Sequence, residues 1–297
     1  MENYILEVKD DIISSFKEIS SRYFDLIGNF DEPIGKGART RFAFHLSKAV
    51  GVDWKYAMKI ASSSEIVHMA SLLHDDCVDA ALMRRGNPSL NFKHGINKAI
   101  LVGDLVVSIA FKKARSVSAG LSLGLVECVE DMSKGALLEE NLKYKIITEA
   151  DYFEIVNLKT SRLFKWISFS IGALSGLNEF ALLDRISSAF GSSFQIIDDA
   201  IDIEGDKNFT GKDNFKDLAE GKITYPVLLA LKDDYVKERI DLFFEDRDNL
   251  VYVYEIKKYV IENGYTEKAR EYALGLINDL RDDILKLKNK NAAAEFF

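Results

Sequence analysis

Apolar residues recur every three or four positions along nearly the whole chain, the spacing that lines one face of an α-helix. Tyr4, Val8, Ile12, Phe16, Ile19, Tyr23 and Ile27 set the first such stripe. The stretch GNFDEPIGKGA (28–38) interrupts it with glycines and a proline and reads as an exposed loop. Helices are then expected at about 39–50, 54–84, 97–116, 119–145, 149–176 and 179–205. The segment GDKNFTGKDNFKDLAEGK (205–222) is polar and glycine-punctuated, hence a second loop with at most a short helical turn. Helices resume at about 223–232, 235–246, 250–263 and 266–289. Strand-type alternation never persists, and neither a repeat nor a linker is visible. The expectation is one all-α domain over 1–297, with the closing NAAAEFF (291–297) set apart as a frayed end or cloning remnant.

Composition narrows this picture. A chain of 297 residues, 47% hydrophobic, can bury one large core or two smaller ones, and its three prolines leave room for long helices. A formal charge of −8 argues against a general affinity for nucleic acid or anionic headgroups, so any bound anion must be held by local basic groups. Cys77 and Cys128 offer neither a disulfide framework nor a metal-ligand spacing, which points to a reducing cytoplasm. The N-terminus is acidic and amphipathic, unlike a signal peptide. The most apolar segments, ILVGDLVVSIAF and WISFSIGALSGL, are about half the ~20 residues needed to cross a bilayer. A cytoplasmic protein without a transmembrane segment is expected.

The chemistry concentrates in LLHDDCVDAALMRRG, residues 72–86. Asp75 and Asp79 share a helix face, separated by about 6 Å of rise. Like charges so placed repel, and an apolar surround raises the cost. A solvated acidic face is the plain reading. A hard divalent cation is the sharper one, because a carboxylate pair without histidine or cysteine suits Mg²⁺ held jointly with substrate phosphates. His74 points to another face and is not counted as a ligand. Arg84 and Arg85, followed by the turn Gly86-Asn87-Pro88, then read as a bidentate phosphate clamp. The same spacing returns in FQIIDDAIDIEGD (194–206), where Asp198, Asp199 and Asp202 sit among apolar flanks. Two such clusters suggest two walls of one metal-binding cavity. Further cation is available from Lys36, Arg39, Lys159, Lys212 and Lys222. His68 lies two helical turns before Asp75, as a core histidine or a phosphate donor.

The stretches GKGAR, EIVHMASLLHDDCVDAALMRRG, LVGD, LKTSRLF, FQIIDDAID and GKDNFKDLAEGKITYP, taken in order, resemble the trans-isoprenyl diphosphate synthases, or polyprenyl synthetases. The resemblance implies an all-helical, isoprenoid-synthase-type bundle around a deep central cavity, usually in a homodimer. It implies that Asp75, Asp79 and Asp198 bind Mg²⁺, three ions per site, with Asp76, Asp199 and Asp202 as supporting or water-mediated ligands. Arg84, Lys159, Lys212 and Lys222 would hold an allylic diphosphate such as farnesyl diphosphate. Lys36, Arg39, His68 and Arg85 would hold isopentenyl diphosphate, while Thr160 and Gln195 turn oxygen atoms toward the reacting carbon. The first basic loop departs from the family pattern, since Thr40 stands in place of a proline and Arg41 competes with Arg39 for the first basic position.

Product length is read from Val67, Ala70 and Ser71, upstream of Asp75. Small residues at 70 and 71, where bulky aromatics would close the pocket in the family, imply a long-chain product near octaprenyl; a short-chain synthase is the alternative. A class I terpene cyclase is disfavoured by the second aspartate cluster and by Lys36 with His68. A non-catalytic partner subunit is disfavoured because no aspartate is missing.

Overall fold

The computed structural model describes residues 2–19, 34–205, 216–287, 289, 291 and 292. The described residues are almost entirely helical, and one two-residue antiparallel ladder is the only strand pairing among them. They fall into two compact units, interleaved along the chain. One comprises Met1–Glu130, Leu163–Ser187 and Arg281–Phe297, the other Asp131–Arg162 and Ser188–Leu280. No helix among the described residues is long and apolar enough to cross a membrane.

In the first unit, α1 (Asn3–Lys17) turns Ile5, Val8, Ile12 and Phe16 inward and packs on α3 (Trp54–Val78). The expected continuation of its stripe to Ile27 lies outside the described residues. Helix α2 (Ala38–Val50) is clipped to α3 by Thr40, whose backbone N–H and hydroxyl both donate to Glu65 Oε1, at 3.1 and 2.8 Å. Thr40 therefore anchors a helix start. Asp53 caps α3 by accepting the Lys55 N–H at 2.9 Å. Along α3, Ala57, Ile60, Ala61 and Ile66 are buried, as are Ala99, Val102 and Val106 of α5 (Ile96–Val117), and the two helices pack together. The short α4 (Leu90–His94) precedes α5.

Helix α6 (Ala119–Leu142) begins in the first unit and ends in the second. Helix α7 (Glu149–Val156) opens with a reciprocal capping box between Thr148 and Asp151. The expected 149–176 helix is not continuous. A π-helical turn, Asn157–Ser161, separates α7 from α8 (Arg162–Ser175). Helix α9 (Phe180–Glu204) follows, then α10 (Lys216–Ala219), α11 (Tyr225–Ala230), α12 (Asp234–Glu245), α13 (Val251–Glu262) and α14 (Tyr265–Asn278). The expected 266–289 helix breaks at Asp279 and Leu280 before α15 (Arg281–Ile284), where Asn278 and Asp279 favour a turn over a further helical step. The second unit's core gathers Ile196, Ile203, Val227, Ile240, Phe243 and Ile256, all fully buried.

Candidate active site

The first aspartate cluster ends a helix sooner than its sequence suggests. Helix α3 stops at Val78, with Asp79 as its C-cap and Ala80 in the left-handed region at φ 47°. The Ala81 N–H closes back on the Asp76 carbonyl at 2.9 Å, a Schellman-type reversal. The chain then forms β1 (Met83–Arg84) and β2 (Asn87–Pro88), paired Met83 with Pro88 and Arg84 with Asn87. Ser89 Oγ donates to the Ala81 carbonyl at 2.5 Å, and Asn91 Nδ2 donates to the carbonyls of Asp76 (2.9 Å) and Ala81 (3.0 Å). The hairpin folds onto the helix end and lays Arg84 on Asp76, with Nε donating to Oδ1 at 2.9 Å and a second guanidinium nitrogen bonded to the same oxygen. Asp76 is 3% exposed, whereas Asp75 and Asp79 are half-buried. The Asp76 carboxylate, expected as a supporting or water-mediated ligand, is bonded to Arg84 through Oδ1.

Arg85 takes the left-handed conformation, φ 51°, and its guanidinium lies over Gly35. A Cβ on Gly35 would sit 2.5 Å from Arg85 Nη2, so a larger residue here would displace the guanidinium. Lys36 itself is exposed. Arg39 is buried with its guanidinium carbon 5.6 Å from the Phe164 ring centroid. Arg41 is exposed, ion-paired with Glu2, and donates through Nε to the Lys36 carbonyl at 3.3 Å. Of the two competing arginines, 39 faces inward and 41 the surface. His68 is half-buried, and its carbonyl accepts the Ser71 hydroxyl at 2.9 Å. Val67 and Ala70 are buried and Ser71 partly so. His74 reaches α5, with Nε2 3.4 Å from Asp104 Oδ1.

In the second unit a cavity of about 140 Å³ is lined by Lys159, Thr160, Gln195, Asp199 and Lys222, among others. The π-turn presents Lys159 and Thr160 together; such turns insert one residue and re-aim side chains, often at functional sites. Helix α9 approaches this turn through Gly191, where a Cβ would lie 2.4 Å from Ser161 Cα, so the close crossing requires glycine. Lys159 Nζ pairs with Glu139 Oε2 at 2.6 Å, and Lys222 Nζ with Glu220 Oε2 at 2.9 Å. Lys212 lies outside the described residues.

The second aspartate cluster also divides its members: Asp198 is exposed, Asp202 half-buried and Asp199 3% exposed. Asp199 Oδ2 accepts from the Tyr152 hydroxyl (2.7 Å) and the Tyr225 N–H (2.9 Å), and Oδ1 accepts from Gln195 Nε2 (2.8 Å). Desolvation pushes its carboxyl up to about 7 against the pull of these donors. Burial, then the Asp199 charge, holds the Tyr152 phenol well above its ordinary value, so it stays a donor. Thr160 Oγ1 and Gln195 Oε1 lie 2.7 Å apart. Asp199, expected as a supporting or water-mediated ligand, accepts from protein donors on both oxygens, and the Gln195 oxygen, expected to face the reacting carbon, accepts the Thr160 hydroxyl.

Asp75 and Asp79 of the first unit, and Asp198 and Asp202 of the second, are hard oxygen donors of the type Mg²⁺ takes, ordinarily one or two carboxylates with water and phosphate completing its shell. Among the described residues no group of three or more His, Cys, Asp or Glu gathers as a ready-made cage. Sequence reasoning missed Glu65, which clips Thr40, and Asn91, which holds the end of α3, as well as Glu139, Tyr152 and the Tyr225 N–H, which meet Lys159 and Asp199. Only the acid Glu65, in the apolar-flanked run SSSEIV, left a local signal.

A family model described as polyprenyl synthetase matches residues 24–258. The chain is 35% identical over 201 residues to octaprenyl diphosphate synthase of Escherichia coli, a match covering 66% of this chain and 62% of that protein. It therefore spans less than two thirds of that relative's length. It is 31% identical over 271 residues to a short chain isoprenyl diphosphate synthase of Methanothermobacter thermautotrophicus, covering 87% and 82% of the two chains. The fold matches the crystal structure of heptaprenyl diphosphate synthase from Staphylococcus aureus with a TM-score of 0.89, at 24% identity, over 99% of this chain and 94% of that one.

Proposed function

This chain belongs to the polyprenyl synthetase family, and we propose that it is a trans-prenyltransferase that joins isopentenyl diphosphate to an allylic diphosphate. The observation that carries this reading is the second unit's cavity, where Lys159, Lys222 and the bonded Thr160–Gln195 pair share one lining and α9 carries exposed Asp198 one residue from Asp199. Asp75, Asp79 and Asp198 would hold Mg²⁺, three ions per site, which when bound neutralises the diphosphate and lowers the cost of its departure.

The chain's own residues supply the rest. Lys159 and Lys222, already paired with Glu139 and Glu220, exchange those partners for the allylic diphosphate, with Lys212 and Arg84 as further donors. Lys36, Arg39, His68 and Arg85 hold isopentenyl diphosphate. The allylic C–O bond breaks with its electron pair leaving on diphosphate, and the Thr160 oxygen lies where positive charge develops. The π pair of isopentenyl diphosphate forms the new C–C bond, and the proton lost from the adjacent carbon passes to the departed diphosphate. Small Ala70 and Ser71 leave room for a long product, near octaprenyl, made by a cytoplasmic homodimer.

Incubation with Mg²⁺, farnesyl diphosphate and labelled isopentenyl diphosphate tests this. The expected result is a ladder of longer prenyl diphosphates ending near forty carbons. Termination at twenty carbons assigns the short-chain alternative. A cyclic hydrocarbon, or no product from well-folded protein, overturns the reading.

A further inference from the structure

This inference rests on the prenyltransferase reading and concerns what sets the polarity of the Thr160–Gln195 pair. A glutamine amide can sit either way round, and the two orientations exchange an acceptor for a donor. Five groups form one hydrogen-bonded chain in the second unit. The Tyr225 N–H can only donate, and with the Tyr152 hydroxyl it fixes Asp199 Oδ2. A carboxylate oxygen can only accept, so Oδ1 at 2.8 Å requires the Gln195 NH₂ on its side. Gln195 Oε1 is thereby turned toward Thr160 at 2.7 Å and must receive the hydroxyl proton. With its proton spent there, Thr160 Oγ1 has only lone pairs left for the cavity it lines.

We propose that Asp199, anchored by Tyr152 and the Tyr225 N–H, is a positioning residue that locks the Gln195 amide and so presents Thr160 to the cavity as an acceptor toward developing positive charge. The reverse orientation would put the Gln195 NH₂ against Thr160, force its hydroxyl to accept, and turn the O–H proton outward. That would oppose the same charge. Burial makes the arrangement rigid: Tyr152, Thr160 and Asp199 are 5%, 8% and 3% exposed, so water has little access to compete for these bonds. The device works through protein donors on both oxygens of Asp199, two on Oδ2 and the Gln195 amide on Oδ1.

Three variants test it at pH 8 in the 297-residue protein with Mg²⁺. Asp199→Asn presents its own NH₂ to Gln195 and flips the amide. Gln195→Glu sets two acceptors against each other. The double exchange, Asp199→Asn with Gln195→Glu, keeps the net charge and restores an acceptor facing Thr160. The expectation is that each single change lowers kcat about tenfold or more, with KM for both diphosphates within about threefold, and that the double variant recovers most of the loss, the signature of direct coupling. Losses that multiply in the double variant, or a wild-type kcat in Asp199→Asn, overturn the assignment. A merely structural role would not be rescued by exchanging acid and amide. If the wild-type protein itself makes no prenyl product, the functional reading fails instead.

Discussion

The two aspartate triplets have the same spacing and lie near the ends of long helices, and each buries its middle member, but they neutralise that member in different ways. Asp76 meets a guanidinium carried to it by a hairpin, with Arg84 Nε at 2.9 Å. Asp199 meets a phenol, an amide and a backbone N–H, all neutral, and its carboxyl is raised to about 7 by burial. The first is an ion pair that fixes a basic side chain, the second an acceptor that fixes an amide. In both, the middle aspartate is buried and bonded within the protein while the outer members are more exposed. A DDxxD spelling therefore does not give its three acids equal surroundings.

The largest contrast is expected between outer and middle positions. Asp75→Ala and Asp198→Ala each remove a proposed metal ligand, and elongation rate should fall on the order of 10²–10³-fold, the scale for losing one group that stabilises developing charge. Equal activity in either variant, measured with the labelled assay, would end the symmetry between the two clusters.

The middle positions should then differ from each other in stability. Asp76→Asn removes a buried charge from Arg84, which is about a quarter exposed, and should cost about 1–3 kcal/mol, less than a fully buried pair. For Asp199 the sign is opposite. A folded pKa above the unfolded value means the folded chain holds the proton more tightly, so stability falls as pH rises from about 4 to about 7. At pH 8, without metal, Asp199→Asn should melt at the wild-type temperature or above it. Thermal melts of both variants check the pair, and a large loss at 199 would show that its neutral donors stabilise it as well as a cation does 76.

The helices were legible because burial imposes a three-four stripe that any reader can count; α2, α5, α9 and α13 fall within a residue or two of expectation. The end of α3 was not, because Asp79 and Ala80 terminate it through a left-handed turn that their residue types do not announce. Nor was the π-turn, since Gly191 marks a close crossing only once its neighbour Ser161 is known. The site's chemical residues were readable as acids, bases and spacing. Their supports were not, because Tyr152 meets Asp199 across 47 residues and Tyr225 offers only its backbone.

The central claim is that the outer aspartates exist to bind a metal–diphosphate complex. The most direct measurement is the melting temperature with Mg²⁺ and a non-reactive allylic thiodiphosphate at about 100 times its Kd. The account predicts a rise on the order of 5–10 °C in the wild-type protein, and loss of most of that rise in Asp75→Ala. A full rise in Asp75→Ala, or none in the wild-type protein, would contradict it.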